Sequence, residues 1–360
     1  YGNDGNRGAA YVFKREGTNW IEQAKLTKPL PRQSDGHFGK SVSISGDYAI
    51  IGSGNIDERK GFGAFVFKRN DTTWTLQNEL RSSNMESDDF FGNSVSISGD
   101  YAIVGSPWDN SDTVEYRKYN HGSVSIFEWD GTDWIQQTKL FTSDSSMNSN
   151  FGYFVSISGD YAIATKDYRL INLSSYGSSI YILKRDGTSW TEQAKLTSPN
   201  VNMRDAFGTS ISISGKYIVI GAPGANNENG ENSGSVFVFE REGTNWTEQT
   251  RLIALGGDGA DHFGFSVSIS GDLIIVGSPD DDDHYGGRNS GSAYVFEHDG
   301  ESWIQRSKLT AMDSAYDDFL GTSVAIDGDY AIVGAPNDDD MGRDSGSVYV
   351  FKRIGTIWTP

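Results

Sequence analysis

The stretch "FGNSVSISGDYAIVGSP", Phe91 to Pro107, decides the fold, because it returns almost verbatim along the chain. It reads as an alternating strand, "SVSIS", a Gly-Asp turn, and a nearly all-apolar strand, "YAIVG". Two further markers keep one period around it. Tryptophan stands at Trp20, Trp74, Trp134, Trp190, Trp246, Trp303 and Trp358, at spacings of 54, 60, 56, 56, 57 and 55 residues. An apolar residue followed by glycine ends at Gly39, Gly92, Gly152, Gly208, Gly264 and Gly321. Self-similarity at such a period marks a repeat architecture in which each copy is one supersecondary unit.

Each copy reads as four strands. The hairpin is followed by a variable loop and a third strand such as "GSVYVFKR", where Val348 and Val350 face one way and Tyr349 and Phe351 the other. The fourth is "WTEQAKL", with Trp190, Ala194 and Leu196 sharing a face with Glu192, opposite Thr191, Gln193 and Lys195. Strands two and three are apolar on both faces, so each sheet needs cover on both sides. The half-polar fourth strand suits a solvent-facing edge. Such sheets, with small serines in the first strand, fit a β-propeller better than a β-solenoid, whose coils are shorter.

Seven copies of the repeat would take about 392 residues, and the chain has 360. The opening "YGNDGNRGAAYVFKREGTNWIEQAKL" supplies only strands three and four, and "GSVYVFKRIGTIWTP" stops inside a fourth. The expected fold is therefore all-β: a seven-bladed β-propeller of four-stranded antiparallel blades, the first blade lacking its first hairpin. The blades fall at residues 1–27 (partial), 28–80, 81–140, 141–196, 197–252, 253–309 and 310–360.

Composition agrees. Forty-three glycines and 45 aromatic residues describe a turn-rich β protein, not a disordered one. A formal charge of −19 argues against nucleic acid and anionic membrane surfaces as partners, and leaves divalent cations or basic groups. With no cysteine, disulfides, thiolate catalysis and Cys-ligated zinc are excluded. No apolar run approaches the ~20 residues that span a bilayer as a helix, so membrane insertion is not expected.

These residues resemble the FG-GAP repeat of integrin α-chain propellers and their microbial relatives. "FG" stands at Phe38-Gly39, Phe91-Gly92, Phe151-Gly152, Phe207-Gly208 and Phe263-Gly264. "GAP" stands at Gly221-Ala222-Pro223 and Gly334-Ala335-Pro336, with "GSP" at Gly105-Ser106-Pro107 and Gly277-Ser278-Pro279. Departures are Phe319-Leu320-Gly321, Gly52-Ser53-Gly54 and Ala164-Thr165-Lys166. The resemblance implies a seven-bladed, usually extracellular propeller used for adhesion or ligand binding. It also implies an Asp-rich calcium loop between the first two strands, which this chain lacks. The equivalents are Ser45-Gly46-Asp47, Ser98-Gly99-Asp100, Ser158-Gly159-Asp160, Ser214-Gly215-Lys216, Ser270-Gly271-Asp272 and Asp327-Gly328-Asp329. Glycine at the first central position suits a type II′ turn, and so short a turn cannot supply the six to eight oxygens of calcium.

Candidate sites lie elsewhere. Asp281, Asp282, Asp283, Asp338, Asp339 and Asp340, in two loops between strands two and three, offer carboxylates to calcium or simply solvate the loops. A second acidic set, Asp35, Asp88, Asp89, Asp205, Asp261, Asp317 and Asp318, precedes the Phe-Gly marker and reads as Asx-type bonding to nearby backbone N–H groups. Lys-Arg pairs at Lys14, Lys68, Lys184 and Lys352 read as hairpin-edge charges. Sequons at Asn70, Asn172 and Asn245 would accept glycans in turns or loops. Trp108, Tyr116 and Tyr119 lie in a long loop and are contact candidates for protein or carbohydrate.

No catalytic motif appears, and the five histidines form no repeated set. "GHFGKS" at Gly36–Ser41 lacks the spacing and the following helix of a phosphate loop. The expectation is a non-catalytic extracellular or cell-surface propeller that binds a partner through its rim loops. The alternative is a structural subunit of a filament or surface layer, self-associating by strand or edge complementation. An enzyme with an axial-face site comes third.

Overall fold

The computed structural model describes residues 8–28, 37–55, 60–84, 89–110, 120–144, 149–166, 178–197, 203–282, 287–343 and 345–360. Strands β1 (Ala10–Glu16) and β2 (Asn19–Leu26) form a two-stranded antiparallel sheet. Six four-stranded sheets follow in chain order, each a meander with the first and fourth strands at its edges. The first comprises β3 (Ser41–Ser45), β4 (Tyr48–Asn55), β5 (Lys60–Asn70) and β6 (Thr73–Leu80). The second comprises β7 (Val95–Ser98), β8 (Tyr101–Ser106), β9 (Ser123–Trp129) and β10 (Trp134–Leu140), and the third β11 (Val155–Ser158), β12 (Tyr161–Lys166), β13 (Ser179–Asp186) and β14 (Ser189–Leu196). The fourth comprises β15 (Ser210–Ser214), β16 (Tyr217–Ala222), β17 (Ser235–Glu242) and β18 (Asn245–Leu252). The fifth comprises β19 (Ser266–Ser270), β20 (Leu273–Ser278), β21 (Ser292–His298) and β22 (Trp303–Leu309), and the sixth β23 (Ser323–Asp327), β24 (Tyr330–Ala335), β25 (Ser347–Ile354) and β26 (Ile357–Thr359). The chain divides into two compact units. One holds the two-stranded sheet and the first three four-stranded sheets; the other holds the last three.

The expected turn chemistry is present. Gly46, Gly99, Gly159, Gly215, Gly271 and Gly328 have φ between +52° and +58°, and the residue after each is not at positive φ. Positive φ at the first central position alone is the type II′ pattern that matches strand twist. The carbonyl of that second residue, from Asp47 to Asp329, accepts a bond from the third strand of its own sheet in all six sheets, for example Arg69 N to Asp47 O at 2.8 Å.

Strict alternation in the fourth strand is not what forms. An extra residue interrupts its pairing with the third strand: Gln23, Gln77, Gln137, Gln249 or Arg306. Such a bulge re-aims a side chain. Three of the glutamines use it to reach the next sheet: Trp74 Nε1 donates to Gln23 Oε1 at 2.8 Å, Trp134 to Gln77 at 3.4 Å, and Trp303 to Gln249 at 3.0 Å.

The Phe-Gly and Gly-Ala/Ser-Pro markers are places where successive sheets touch backbone to backbone. A Cβ on Gly52 would overlap Gly92 O, one on Gly221 would overlap Gly264 O, and one on Gly277 would overlap Gly321 O. The phenylalanines themselves are buried against their own third strand, as with Phe263 on Tyr294 and Phe296. Leu320 takes that place in the sixth sheet and is fully buried.

First strands lie side by side within each unit, and their serines have a role beyond small size. Ser43 and Ser45 Oγ accept the N–H groups of Ile97 and Gly99, each at 3.1 Å. Ser94, Ser96 and Ser98 do the same for Val155, Ile157 and Gly159 at 3.1–3.3 Å. In the second unit Ser212 and Ser214 serve Ile269 and Gly271, and Ser268 serves Ile326. Edge-strand donors that would otherwise need water are thereby satisfied. The apolar residues between them form one core per sheet contact, such as Ile103, Val124 and Ile126 against Val155 and Ile157.

Candidate functional site

Four of the loops between second and third strands rise from closed necks. The residue two after the GSP or GAP proline accepts a backbone bond from the glycine before the third strand: Asp109 O from Gly122 N, Ala225 O from Gly234 N, Asp281 O from Gly291 N, and Asp338 O from Gly346 N, at 2.8–3.0 Å. Where that residue is aspartate, its carboxylate turns inward. Asp109 and Asp281 are almost wholly buried. Asp109 accepts from Ser123 Oγ and pairs with Lys139 Nζ, both at 2.6 Å. Asp281 accepts from Ser292 Oγ and Tyr294 OH at 2.6 Å, and from Lys308 Nζ at 2.9 Å. A buried charge persists only when paired and hydrogen-bonded in this way.

The chain compensates where it changes one partner. The fourth sheet has Ala225 instead of aspartate, and Arg251, in place of lysine, donates to Ser235 Oγ and Asn226 O at 2.9 and 2.8 Å. In the third sheet Lys166, 2% exposed, replaces the proline of the motif. Asp144 takes up the charge, bonding Lys166 and Lys195 at 2.8 and 2.6 Å and also Tyr181. Although partial burial works against ionisation, the donors of Lys166, Lys195 and Tyr181 hold its carboxyl well below the usual range.

The calcium candidates therefore divide. Asp281 and Asp338 are buried at loop bases, while Asp282, Asp339 and Asp340 are exposed and Asp283 lies outside the described residues. Asp338 accepts Asp340 N at 3.0 Å; the Tyr349 hydroxyl stands 2.6 Å from Asp338 and 2.8 Å from Asp313. Burial and these two carboxylates push the Tyr349 phenol up, and Asp338 and Asp313 raise Asp340. Among the described residues, no group of three or more histidine, aspartate or glutamate side chains is arranged to hold a metal ion.

The second acidic set behaves as its spacing suggests at two positions. Asp261 accepts Asp258 N, and Asp318 accepts Ala315 N, each at 2.6 Å. Burial, with Asp281 and Asp258 nearby, pushes Asp261 up to about 7. Next to it His262 Nδ1 lies 2.6 Å from Asp280, which raises the imidazole. Asp317 instead accepts from the Asn289 side chain; Asp35 and Asp88 lie outside the described residues. Two of the hairpin-edge arginines pair with the Gly-Asp turn of their own sheet, Arg69 with Asp47 at 2.8 Å and Arg185 with Asp160.

Of the loop aromatics, Trp108 is half-buried and meets Phe90 edge-on, and Tyr116 and Tyr119 lie outside the described residues. Asn70 and Asn245 are exposed beside the turns between third and fourth strands; Asn172 lies outside the described residues. What the sequence reading missed is the Ser-Tyr-Lys set around Asp281. Its signal was present: the aspartate two after proline and the lysine of "KL" in the fourth strand occur together at Asp109 with Lys139 and at Asp281 with Lys308.

Among the described residues, two sheet faces stand open. In the first unit Val42 and Ile44 of β3 are each 61% exposed, whereas Val95 and Ile97, at the same positions of β7, are each 5% exposed. In the second unit Ile332 and Val348 are exposed, although Val219, Val236, Ile275 and Ala293 at the equivalent positions are fully buried.

Four-stranded antiparallel meanders packed face to face, with first strands together, are the blades of a β-propeller. The family model of the FG-GAP repeat matches six times, at residues 20–67, 74–127, 134–178, 190–239, 246–296 and 303–351. The chain belongs to the FG-GAP repeat family. Each match opens at the tryptophan of one fourth strand and runs into the following sheet, so the sequence repeat and the structural blade are out of phase. No curated protein matches the chain.

Proposed function

We propose that this chain is a non-catalytic adhesion or ligand-binding propeller, extracellular or at the cell surface, that uses the loops between its second and third strands. The observation that carries the reading is the closed neck beneath loops of different sequence. A hydrogen-bonded base, reinforced by buried Asp109 and Asp281, holds the loops of the second, fourth, fifth and sixth sheets on rigid strands while the loop sequences differ. FG-GAP propellers are typically non-catalytic, which supports the same reading. In its finer form the proposal has seven blades, with β1 and β2 as the outer pair of the first. Open faces at Val42 and Ile44 and at Ile332 and Val348 support that count. Protein or carbohydrate is the proposed ligand class at the loop containing Trp108. A glycan array and a protein pull-down, run with folded chain and with Trp108→Ala, test it. Specific capture reduced at least ~10-fold by the substitution is expected; two blank screens with folded protein would sink it.

Calcium binding by the exposed loop carboxylates, and glycans on Asn70, Asn172 or Asn245, are proposals carried by the sequence. A calcium titration followed by the thermal midpoint, and intact mass on protein from its source, test them. A second reading, a subunit of an extracellular filament or layer, is favoured by the open edge of β1, which pairs only with β2 among the described strands.

A further inference from the structure

Near the end of each third strand, one residue donates its N–H to the carbonyl of its own sheet's glycine turn. That residue is arginine in four sheets, at Arg69, Arg185, Arg241 and Arg353, histidine at His298, and tryptophan at Trp129. Between the second and third sheets the arginine fills a corner of aromatic rings. The Arg185 guanidinium lies 4.5 Å from the centroid of Tyr101, which meets Trp190 edge-on at 5.9 Å. Arg185 also donates to the Tyr101 hydroxyl at 3.0 Å and to Asp160, and the hydroxyl donates to Glu128 Oε1 at 2.5 Å. This corner holds its own cation, tied in place by oxygen acceptors.

Between the first and second sheets the residues are exchanged. Trp129 stands at the arginine position, and Lys68 lies opposite Tyr48 as Glu128 lies opposite Tyr101. Tyr48, Trp129 and Trp134 form a three-ring corner with centroids 5.7–6.0 Å apart, Tyr48 standing at 50° to Trp129 and 86° to Trp134. Trp134 is buried, while Tyr48 and Trp129 are half-buried and keep part of their surface in solvent. The Lys68 ammonium lies 5.3 Å from the Tyr48 centroid and 5.6 Å from that of Trp129. Among the described residues it makes no hydrogen bond and no ion pair. An ammonium whose neighbours are ring faces and not carboxylates shows what this corner accepts: a positive charge attracted by ring quadrupoles.

We propose that the corner of Tyr48, Trp129 and Trp134 is a binding site for a quaternary ammonium group, with Lys68 as its tethered and displaceable occupant. Rings set at angles around a cation are the arrangement that recognises trimethylammonium ligands. A lysine ammonium is compact, strongly hydrated and carried on a flexible stem, so its return to water costs little. Arg185 cannot leave its corner in that way, because Asp160 and Tyr101 hold it. The formal charge of −19 favours the approach of a cation. The site lies at the hairpin-turn end of the sheets, away from the loops between second and third strands, and is independent of any ligand there.

The test titrates the 360-residue chain with tetramethylammonium chloride and choline chloride against a sodium chloride control, followed by tryptophan fluorescence and calorimetry. Saturable binding with a dissociation constant of about 1–10 mM is expected. Trp129→Arg installs the residue that four other sheets hold and should weaken binding at least ~10-fold, with the fold checked by circular dichroism. Lys68→Ala removes the tethered competitor and should tighten binding at least ~2-fold. Dimethylbutanol, the uncharged carbon isostere of choline, should bind at least ~10-fold more weakly than choline. No saturable binding up to about 50 mM overturns the proposal. So does binding that ignores Trp129→Arg, or that dimethylbutanol matches. Equal or weaker binding to the Lys68→Ala chain overturns the part given to Lys68. Phosphatidylcholine vesicles distinguish the source of the group: pelleting abolished by Trp129→Arg supports the site with a lipid headgroup, and choline binding without pelleting supports it with a free solute.

Discussion

Gln23 accepts a hydrogen bond from the indole of Trp74 at 2.8 Å, and the two meet because a bulge turns Gln23 out of the regular pairing of β2. The same relation joins Gln249 to Trp303 in the second unit. Three of the period-56 tryptophans, Trp74, Trp134 and Trp303, are thus paired, by way of a bulge, with glutamines of the sheet before.

Replacing Gln249 by alanine leaves a largely buried indole N–H without its acceptor and should cost about 1–2 kcal/mol. Urea unfolding of the variant against the parent chain measures it. An unchanged midpoint would mean that water replaces the glutamine.

Alanine at Gly277 puts a Cβ onto Gly321 O, where backbone and not a flexible side chain must move. A loss of more than about 3 kcal/mol, or failure to fold, is expected. Alanine at Gly99 meets no atom within 4 Å but must adopt φ of +55°. That change should cost only about 1–2 kcal/mol. Comparing the two by thermal melts separates backbone contact from backbone conformation.

Asp281→Ala removes the acceptor of Ser292, Tyr294 and Lys308 together. Destabilisation of about 3–5 kcal/mol is expected, because buried donors and an ammonium lose their partner. Lys308→Met should cost less, since two neutral donors still hold the carboxylate. Equal losses would argue that the ion pair alone matters.

The Asp261 carboxyl is raised to about 7, mainly by burial. The folded state therefore binds more protons than the unfolded one between about pH 4 and 7. Stability consequently falls as pH rises through that window. His262, raised by Asp280, works in the same direction, since its extra stability is lost as pH rises through its folded value. Asp258, Asp280, Asp281 and Lys308 are the charged neighbours of this pair. Asp261→Asn keeps the acceptor for Asp258 N and should flatten the fall between pH 5 and 8 by about 1–3 kcal/mol, leaving the His262 part. Denaturant curves at several pH values check this; an unaltered slope would remove Asp261 from the account.

Much of this architecture is legible in residues alone. The alternation of "SVSIS", the Gly-Asp turn and the apolar "YAIVG" specify a hairpin, because side-chain period and turn conformation are local properties. The tryptophan and Phe-Gly periods give the repeat and its length. The bulge at Gln23 and its equivalents was not legible, since "WTEQAKL" alternates plausibly without it, and only pairing with the third strand shows the extra residue. Likewise the acidic loops read as one class, although Asp281 is buried and Asp282 exposed one residue later.

The sequence by itself determined the repeat, its four strands, their turns and the family likeness, all of which depend on neighbours within a few residues. Tertiary structure decided which serines, glutamines and aspartates have partners. Ser96 and Ile157, or Trp303 and Gln249, lie more than fifty residues apart and meet only when sheets stack. Burial then sets the cost of each unmet donor, and exposure distinguishes the open edge at Val42 and Ile44 from the closed edge of β7.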